Sequence, residues 1–402
     1  MSSNVQADWE SNEEIRLFRE YLKIPSVHPN INYDGCVEFL KRQAASLNLP
    51  VQVIEVHPRN PIVIMTWQGT DPGAKSIILN SHMDVVPVYP DQWTHPPFSA
   101  HLDKEGRIYA RGSQDMKCVG IQYLAAIRAM QSEGVKLKRT LHLLFVPDEE
   151  VGGVLGMRDF VHTKEFQALN CGFSLDEGYA SEDETFVLFN GERTLKFTRF
   201  YISGSPGHGS LILQNTAGEK ARKLIDRMMD FRRAEEEKLL NNPNLTVGDV
   251  TTVNLTMMSG GVQSNVIPAE LMVCFDVRLS VTVDIETFTR QLETWCEESG
   301  GGIRIDLHDA PHITPTKLDE TNPFWVAMKG TLDAMGLAVK SYIFPGATDS
   351  RFIRHLGIPA IGFSPINNTP KLLHDHDEFL HADIFLKGIQ IYKKLIQAVA
   401  NV

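Results

Sequence analysis

The apolar run Leu141–Val146 is followed, after one proline, by three consecutive carboxylates, Asp148, Glu149 and Glu150. The run is apolar enough to be a buried strand. Like charges packed at the end of a buried element repel one another and lose hydration, so this arrangement is unfavourable without compensation. A bound cation or a proton must compensate it, and other parts of the chain must complete the site.

The region from about Val51 to Leu175 alternates short apolar runs with helical stretches. Such alternation is typical of an α/β domain built on a central, largely parallel sheet. A helix predicted near Met116 to Ser132 is apolar nearly all round, which indicates that it is buried.

The pattern changes near Gly191, where strands and helices follow in the order βαββαβ. This order is typical of a compact ferredoxin-like unit. After Pro311 the α/β pattern returns. The sequence therefore predicts a discontinuous catalytic domain, residues 1–190 and 312–402, interrupted by a lid-like insert at residues 191–311.

Charge and cysteine content narrow the function classes. The net charge of -11 argues against a general nucleic-acid or anionic-membrane surface, because both need clustered basic residues. The five cysteines include no CxxC pair, which favours a reducing compartment over a disulfide framework or a thiolate metal site. The N-terminus lacks the features of a signal peptide, and no segment approaches a membrane-spanning length. We therefore expect a cytoplasmic protein with no membrane partner.

His82 and Asp84 follow the apolar run that begins at Ser76. A histidine that binds metal through one nitrogen commonly donates its other N–H to a carboxylate, so the pair can be a ligand and its orienting partner. Taken alone, the pair favours the simpler interpretation of a surface histidine beside an aspartate.

Three more polar elements occupy comparable places. Asp115 begins the predicted buried helix, where it could equally be an N-cap. Asp176 follows another apolar run, and the segment Leu372–Glu378 is dense in His and Asp. Because open α/β sheets place their ligand crevice beyond the carboxyl ends of the strands, these elements together indicate a metal site more strongly than any one does alone.

Nine motifs carry a resemblance to the M20 metallopeptidase family, in chain order SHMDVVPV, YARGSQDMKC, FVPDEEVGG, LDEG, SGSPGHGS, SNVIPA, DVRLS, ATDSR and LLHDHDE. They extend over almost the whole chain. The resemblance implies a metal-dependent amidohydrolase that cleaves N-acyl-L-amino acids, especially N-acetylated ones with apolar side chains, to a carboxylate and a free L-amino acid. It also implies a homodimer, with the insert as the lid and dimerisation domain.

The resemblance further implies two zinc ions per subunit that share one carboxylate. His82, Asp115 and Asp176 would hold one ion, and Asp115, Glu150 and His374 would hold the other. Carboxylate and imidazole ligands without thiolate suit catalytic zinc and leave a position open for water.

In the same pattern Glu149 would be the general base. Because Glu149 and Glu150 are adjacent, a shift of one residue would exchange base and ligand. His374 is preferred over His376 as the ligand, since the family spacing places the ligand histidine four residues before a glutamate, here Glu378.

The remaining roles also come from the resemblance. Asp84 would orient His82, and His208 would stabilise the oxyanion in the active site of the partner subunit. Arg351 would grip the substrate carboxylate, because a guanidinium binds carboxylate bidentately. Asn265 and Arg278 would lie near the substrate.

Two alternatives stay open. Another member of the family, such as a dipeptidase, carboxypeptidase or other deacylase, would have the same metal chemistry and a different pocket. A metal-stabilised binding module without activity would have no need of Glu149 as a base.

Overall fold

The computed structural model describes residues 9–307 and 313–402. The chain divides into two compact units. The first contains the chain up to Asn190 together with Thr316–Ser341 and Thr348–Val402, and the second contains Gly191–Pro315 and Tyr342–Ala347. The predicted return to the catalytic domain at residue 312 lies outside the described residues. The segment 342–347, predicted as part of the catalytic domain, belongs to the second unit.

The helices of the described chain are α1 (Glu13–Leu22), α2 (Asp34–Ser46), α3 (Lys117–Ser132), α4 (Met157–Phe160), α5 (Lys164–Ala168), α6 (Ala217–Asn241), α7 (Ile285–Glu298), α8 (Pro323–Ala334), α9 (Ser350–His355) and α10 (Ala382–Val399). The strands are β1 (Val51–His57), β2 (Asn60–Trp67), β3 (Ser76–His82), β4 (His101–Leu102), β5 (Arg107–Tyr109), β6 (Leu141–Val146), β7 (Cys171–Asp176), β8 (Phe186–Glu192), β9 (Thr194–Ser203), β10 (Gly207–His208), β11 (Thr252–Gly260), β12 (Val266–Ile267), β13 (Glu270–Leu279), β14 (Ile303–Leu307), β15 (Val339–Phe344), β16 (Ala360–Phe363) and β17 (Phe379–His381).

An eight-stranded sheet in the order β1-β2-β6-β3-β7-β16-β8-β15 forms the centre of the α/β fold. The predicted α/β class is confirmed, but the sheet is mixed and not largely parallel. Strands β6, β3, β7 and β16 pair in parallel, and β16 is antiparallel to β8. Strands β1 and β2 form a hairpin, which makes them antiparallel, and β2 is antiparallel to β6. Hydrophobic periodicity reveals a strand but not the direction of its partner, so the sequence could not distinguish a parallel sheet from a mixed one.

The central strands are buried on both faces. In β3, Ile77 and Leu79 join the core cluster formed with α1, α2, α3, α8 and α10, whereas Ile78 joins the cluster formed with α4, α5 and α9. Burying one such side chain contributes about 1.5–3 kcal/mol. A shift of one residue would move every side chain to the opposite face. The register of β3, and with it the position of His82 at the strand end, is therefore firmly set.

The second unit contains a four-stranded antiparallel sheet in the order β11-β13-β9-β14. Side chains of α6 and α7, among them Leu224, Phe288 and Leu292, pack with the strands in one core cluster. Thr216 is the N-cap of helix α6, and its side chain and that of Glu219 form a capping box. A separate ribbon of β10 and β12 carries His208. Within the described residues, no helix has the length and apolar character needed to cross a membrane.

Candidate metal centre

Three adjacent strands of the sheet deliver the polar residues of the site. Strand β3 lies between β6 and β7 and is parallel to both. Because parallel strands end at the same edge of a sheet, His82 at the end of β3 comes close to the residues that follow β6 and to those at the end of β7.

Asp115 lies between two histidines. Its Oδ1 is 3.0 Å from Nε2 of His82, and its Oδ2 is 3.3 Å from Nε2 of His374. Asp115 precedes α3 and does not serve as that helix's N-cap, since the N-cap position belongs to Met116. One carboxylate that faces two imidazoles with its two oxygens can be shared between two cations.

Glu149 and Glu150 lie in a short 3-10 turn, Glu149–Val151, that follows β6. Gly152 closes the turn with a φ of 109°, a conformation that favours glycine. The Oδ2 of Asp148 accepts a hydrogen bond from the N–H of Leu155 at 2.7 Å, which ties the two sides of the turn together. Asp148 therefore has a structural partner of its own.

The turn places its two glutamates in different groups of potential metal ligands. Oε2 of Glu150 is 3.1 Å from Nε2 of His374. Ligand atoms of His82, Asp115 and Glu150 lie within 4.8 Å of one another, and so do those of His82, Glu149 and Glu177. The predicted residues His82, Asp115, Glu150 and His374 thus lie together, with Glu149 beside them.

Glu177, and not the predicted Asp176, faces His82. Its Oε2 is 3.5 Å from Nε2 of His82. The carboxylate of Asp176 instead accepts hydrogen bonds from Nδ2 of Asn80 at 3.1 Å, from Oγ of Ser350 at 2.8 Å and from the N–H of Glu177 at 2.9 Å. Neighbouring side chains at a strand end point in opposite directions. The motif LDEG offers two adjacent acids, and the sequence gives no signal to choose between them.

Asp84 contacts His82 differently from the prediction. The N–H of His82 Nδ1 donates to the backbone carbonyl of Asp84 at 2.8 Å, while the nearest carboxylate oxygen is 3.8 Å away. The carboxylate accepts hydrogen bonds from the backbone N–H groups of Glu149 at 3.2 Å and Glu150 at 3.0 Å. The backbone of Asp84 orients the histidine, and its side chain holds the turn of the two glutamates.

The buried acids of the site oppose one another's ionisation. Burial and the charge of Glu177 raise the pKa of Glu149 well above its ordinary value, and burial and the charge of Asp115 do the same for Glu177. Hydrogen bonds to Asp115 and Glu150 raise the pKa of His374 to about 10. In the absence of metal, the site therefore retains protons that bound cations would displace.

Glu378 and Arg111 form a buried support that no pattern in the sequence predicted. Oε2 of Glu378 accepts from Nη1 of Arg111 at 2.8 Å and from the N–H of Gly112 at 3.1 Å. Its Oε1 accepts from the N–H groups of Gln114 at 2.6 Å and Asp115 at 3.3 Å. Glu378 thus fixes the loop that carries Asp115. In the sequence, Glu378 stood out only by its position four residues after His374.

Arg351 lies beside the turn of the two glutamates. Its Nη2 donates to the carbonyl oxygen of Gly152 at 2.7 Å, and its guanidinium carbon lies 4.5 Å from the ring centroid of Phe352. Arg351 forms no ion pair with any residue of the described ranges 9–307 and 313–402. The neighbouring Asp349, also not identified from the sequence, is buried, and neither carboxylate oxygen has a hydrogen-bond partner among these residues.

His208, Asn265 and Arg278 belong to the second unit. His208 is exposed and pairs with Val266 in the ribbon, and the N–H of Gly209 donates to the carbonyl of Asn265 at 2.8 Å. The structure thus brings the motifs of His208 and Asn265 together. Arg278 is occupied by Asp276, with its Nε and Nη2 at 2.8 Å and 3.1 Å from the two carboxylate oxygens.

The donor set of the first unit fits divalent metal. It offers imidazole nitrogens and carboxylate oxygens without thiolate, a combination suited to catalytic zinc. Oε1 of Glu150 is buried without a hydrogen-bond partner among the described residues, although buried carboxylate oxygens are normally paired. A cation between the carboxylates would satisfy this oxygen and offset their repulsion.

Comparisons with known proteins agree with a hydrolytic metal site. The model of peptidase family M20/M25/M40 matches residues 78–398. Aminoacylase-1 of Mus musculus is 50% identical over 96% of this chain and 95% of that protein, and aminoacylase-1 of Homo sapiens is 47% identical over 98% and 97%. The M20 family metallo-carboxypeptidase Sso-CP2 from Sulfolobus solfataricus shares the fold, with a TM-score of 0.74 and 19% identity over 97% of this chain and 99% of that one.

Proposed function

Since this chain belongs to peptidase family M20/M25/M40, we propose that the acids and histidines of this site would hold two zinc ions, with Asp115 available to both. We assign His82 and Glu177 to one ion, and Glu150 and His374 to the other. Glu177 replaces Asp176 in this assignment because it is the acid that faces His82. The observation that carries the proposal is the position of Asp115 between the two imidazoles.

The chain is a metal-dependent amidohydrolase that hydrolyses N-acyl amino acids, as its identity with aminoacylase-1 of mouse and human over nearly its whole length indicates. We propose that N-acetylated L-amino acids with apolar side chains are its preferred substrates. When bound, the zinc ions supply positive charge that polarises the acyl carbonyl and makes water more acidic.

Glu149 is the proposed general base. It lies beside the ligand residues, and its burial favours the protonated form of the carboxylate, which suits a group that accepts a proton. Glu149 takes a proton from the attacking water and returns it to the nitrogen of the leaving amino acid. Asp84 keeps Glu149 in place through the backbone hydrogen bond.

Arg351 is the proposed anchor for the substrate carboxylate. It has no carboxylate partner among the described residues, and its guanidinium is held next to the catalytic turn by Gly152 and Phe352. A carboxylate bound there would align the amide bond relative to Glu149.

A homodimer is the proposed assembly, with His208 reaching the site of the partner subunit and stabilising the oxyanion. Strand β11 is an edge strand of the second unit's sheet, and it exposes Met257 and Met258 at 53% and 61%. Apolar side chains on an exposed edge strand favour association with another chain. We place Asn265, whose carbonyl accepts the N–H of Gly209 next to His208, at the substrate. Arg278 is a further proposed residue near the substrate.

A reducing compartment, the cytoplasm, is the proposed location. All five cysteines are buried and none forms a disulfide. Such cysteines are typical of proteins kept under reducing conditions.

The test is release of acetate from N-acetyl-L-methionine by the purified protein, before and after chelation and after zinc is restored. Activity should disappear with the metal and return with zinc. The Glu149→Gln variant should keep two zinc ions per subunit and lose activity by about 10²–10⁴-fold. A fully loaded wild-type protein that cleaves dipeptides but not acetylated amino acids would contradict the substrate assignment.

The role of His208 across subunits has its own test. Glu149→Gln and His208→Asn subunits are mixed after mild dissociation and allowed to reassociate. If His208 acts in the partner's site, mixed dimers contain one intact site and activity returns. If it acts within its own subunit, the mixture stays as inactive as its components.

A further inference from the structure

His28 makes a contact that links it to the catalytic turn through one buried carboxylate. Its Nε2 lies 2.9 Å from Oδ2 of Asp84, a side chain with 0% exposure, while His28 itself is 13% exposed. The same carboxylate accepts the backbone N–H groups of Glu149 and Glu150. His28 therefore contacts neither the proposed ligand Glu150 nor the proposed base Glu149. It contacts the carboxylate of Asp84, which holds the backbone of both.

The backbone around His28 is fixed against the end of β3. The N–H of Val85 donates to the carbonyl of Ser26 at 2.8 Å, and the N–H of His28 donates to the carbonyl of Val85 at 3.1 Å. Val27 and Val85 form a parallel bridge, and Oγ of Ser26 donates to the carbonyl of Met83 at 2.5 Å. This pairing sets the register of residues 26–28 against 83–85, so the contact of His28 with Asp84 is built into the fold.

The turn Glu149–Val151 depends on acceptors from outside. It is a single 3-10 turn, and Asp148 and Gly152 on either side have positive φ, so no helix or strand continues through it. Asp84 supplies acceptors for two of its N–H groups. A rotation of that carboxylate would weaken both hydrogen bonds at once, because both N–H groups share it as their acceptor.

We propose that His28 is a positioning residue for the hydrolysis: the N–H of its Nε2 fixes the carboxylate of Asp84, which in turn holds Glu149 at its working position. The inference rests on the proposed role of Glu149 as the base. Loss of the His28 donor lets the carboxylate rotate and moves Glu149 relative to the substrate. Misplacement of a reacting group lowers the rate of the chemical step more than the binding of substrate.

The experiment compares three variants with the wild-type enzyme. His28→Leu removes the donor, and His28→Gln keeps an N–H group that can reach Asp84. We expect kcat of His28→Leu for N-acetyl-L-methionine to fall about 10- to 100-fold, with KM and the two zinc ions per subunit unchanged, and His28→Gln to recover most of the loss. His57→Leu is the matched control, since His57 makes a similar contact of 2.7 Å with Asp159 that involves no site residue.

Several results would overturn the inference: full activity of His28→Leu, an equal loss in His28→Gln, an equal loss in His57→Leu, or a loss confined to KM or to bound zinc. If His28→Leu does not fold, His28→Asn, whose shorter amide cannot reach Asp84, replaces it with the same expected result. Failure of the proposed function is seen separately, because an active Glu149→Gln enzyme would refute the base itself. An inactive Glu149→Gln with a fully active His28→Leu refutes the role of His28 alone.

Discussion

Nε2 of His374 lies 3.3 Å from Oδ2 of Asp115. His374 comes from the segment before β17 and Asp115 from the loop before α3, so tertiary folding alone brings them together. In the absence of metal, this contact and the contact with Glu150 hold a proton on the imidazole. The same arrangement, once that proton leaves, offers a nitrogen and carboxylate oxygens to a cation.

Zinc binding should therefore release protons and strengthen as pH rises. The pKa of His374 is raised to about 10, so in the metal-free protein the imidazole is charged at neutral pH. Its stabilising contact is fully present below the unfolded value of about 6.5 and is lost as pH rises through about 10. Metal needs the neutral ring. Calorimetric titration of the stripped protein with zinc, in buffers of different ionisation enthalpy between pH 6 and 8, measures the release. Affinity independent of pH would contradict the prediction.

Replacing each of the two acids of LDEG separately by its amide should have unequal effects on zinc binding. Glu177→Gln removes a proposed ligand, so zinc affinity at one site should fall by more than the roughly 10–100-fold typical of losing an outer partner. Asp176→Asn keeps an oxygen for its hydrogen-bond donors and should retain two zinc ions per subunit. Competition with a chelating dye, together with metal analysis, measures both. Loss of zinc from Asp176→Asn alone would restore the assignment made from the sequence.

Arg351→Met should lower kcat/KM for substrates that carry a free carboxylate. The expected loss in kcat/KM is about 10- to 150-fold, because a charge-assisted hydrogen bond contributes roughly 1.5–3 kcal/mol. N-acetyl-L-methioninamide, which lacks the negative charge, is the control substrate, and its hydrolysis should change little. Equal losses for the acid and the amide would show that Arg351 acts through Gly152 on the turn and not on the substrate.

Glu378→Ala should destabilise the fold. Glu378 is 0% exposed and its partner Arg111 is 2% exposed, so the substitution leaves a buried charge unpaired. The expected loss in free energy of unfolding is about 3–5 kcal/mol. Denaturant unfolding measures this loss, provided that the slope of the free energy of unfolding against denaturant concentration stays the same. The double variant Arg111→Met with Glu378→Leu removes both charges and should lose less, and a double variant as unstable as Glu378→Ala would contradict the ion-pair explanation.

The sequence predicted the chemistry of the site better than its detailed contacts. The runs before His82, Glu149 and Asp176 were identifiable as strands because they are apolar, and acids at strand ends indicated a crevice. The choice between Asp176 and Glu177 was different. Asp176 ends β7 and Glu177 follows it, and only the direction of each side chain, set by the packing of β7, decides which one faces His82.

The sequence by itself determined the α/β class, the family and the kinds of residue available to bind metal, because hydrophobic periodicity and motif order are local properties of the chain. Tertiary structure alone decided the mixed direction of the sheet, the position of Asp115 between two histidines, and the supports that His28 and Glu378 provide. These depend on contacts between segments far apart in sequence, where burial and hydrogen-bond geometry select among acids and histidines that are locally equivalent.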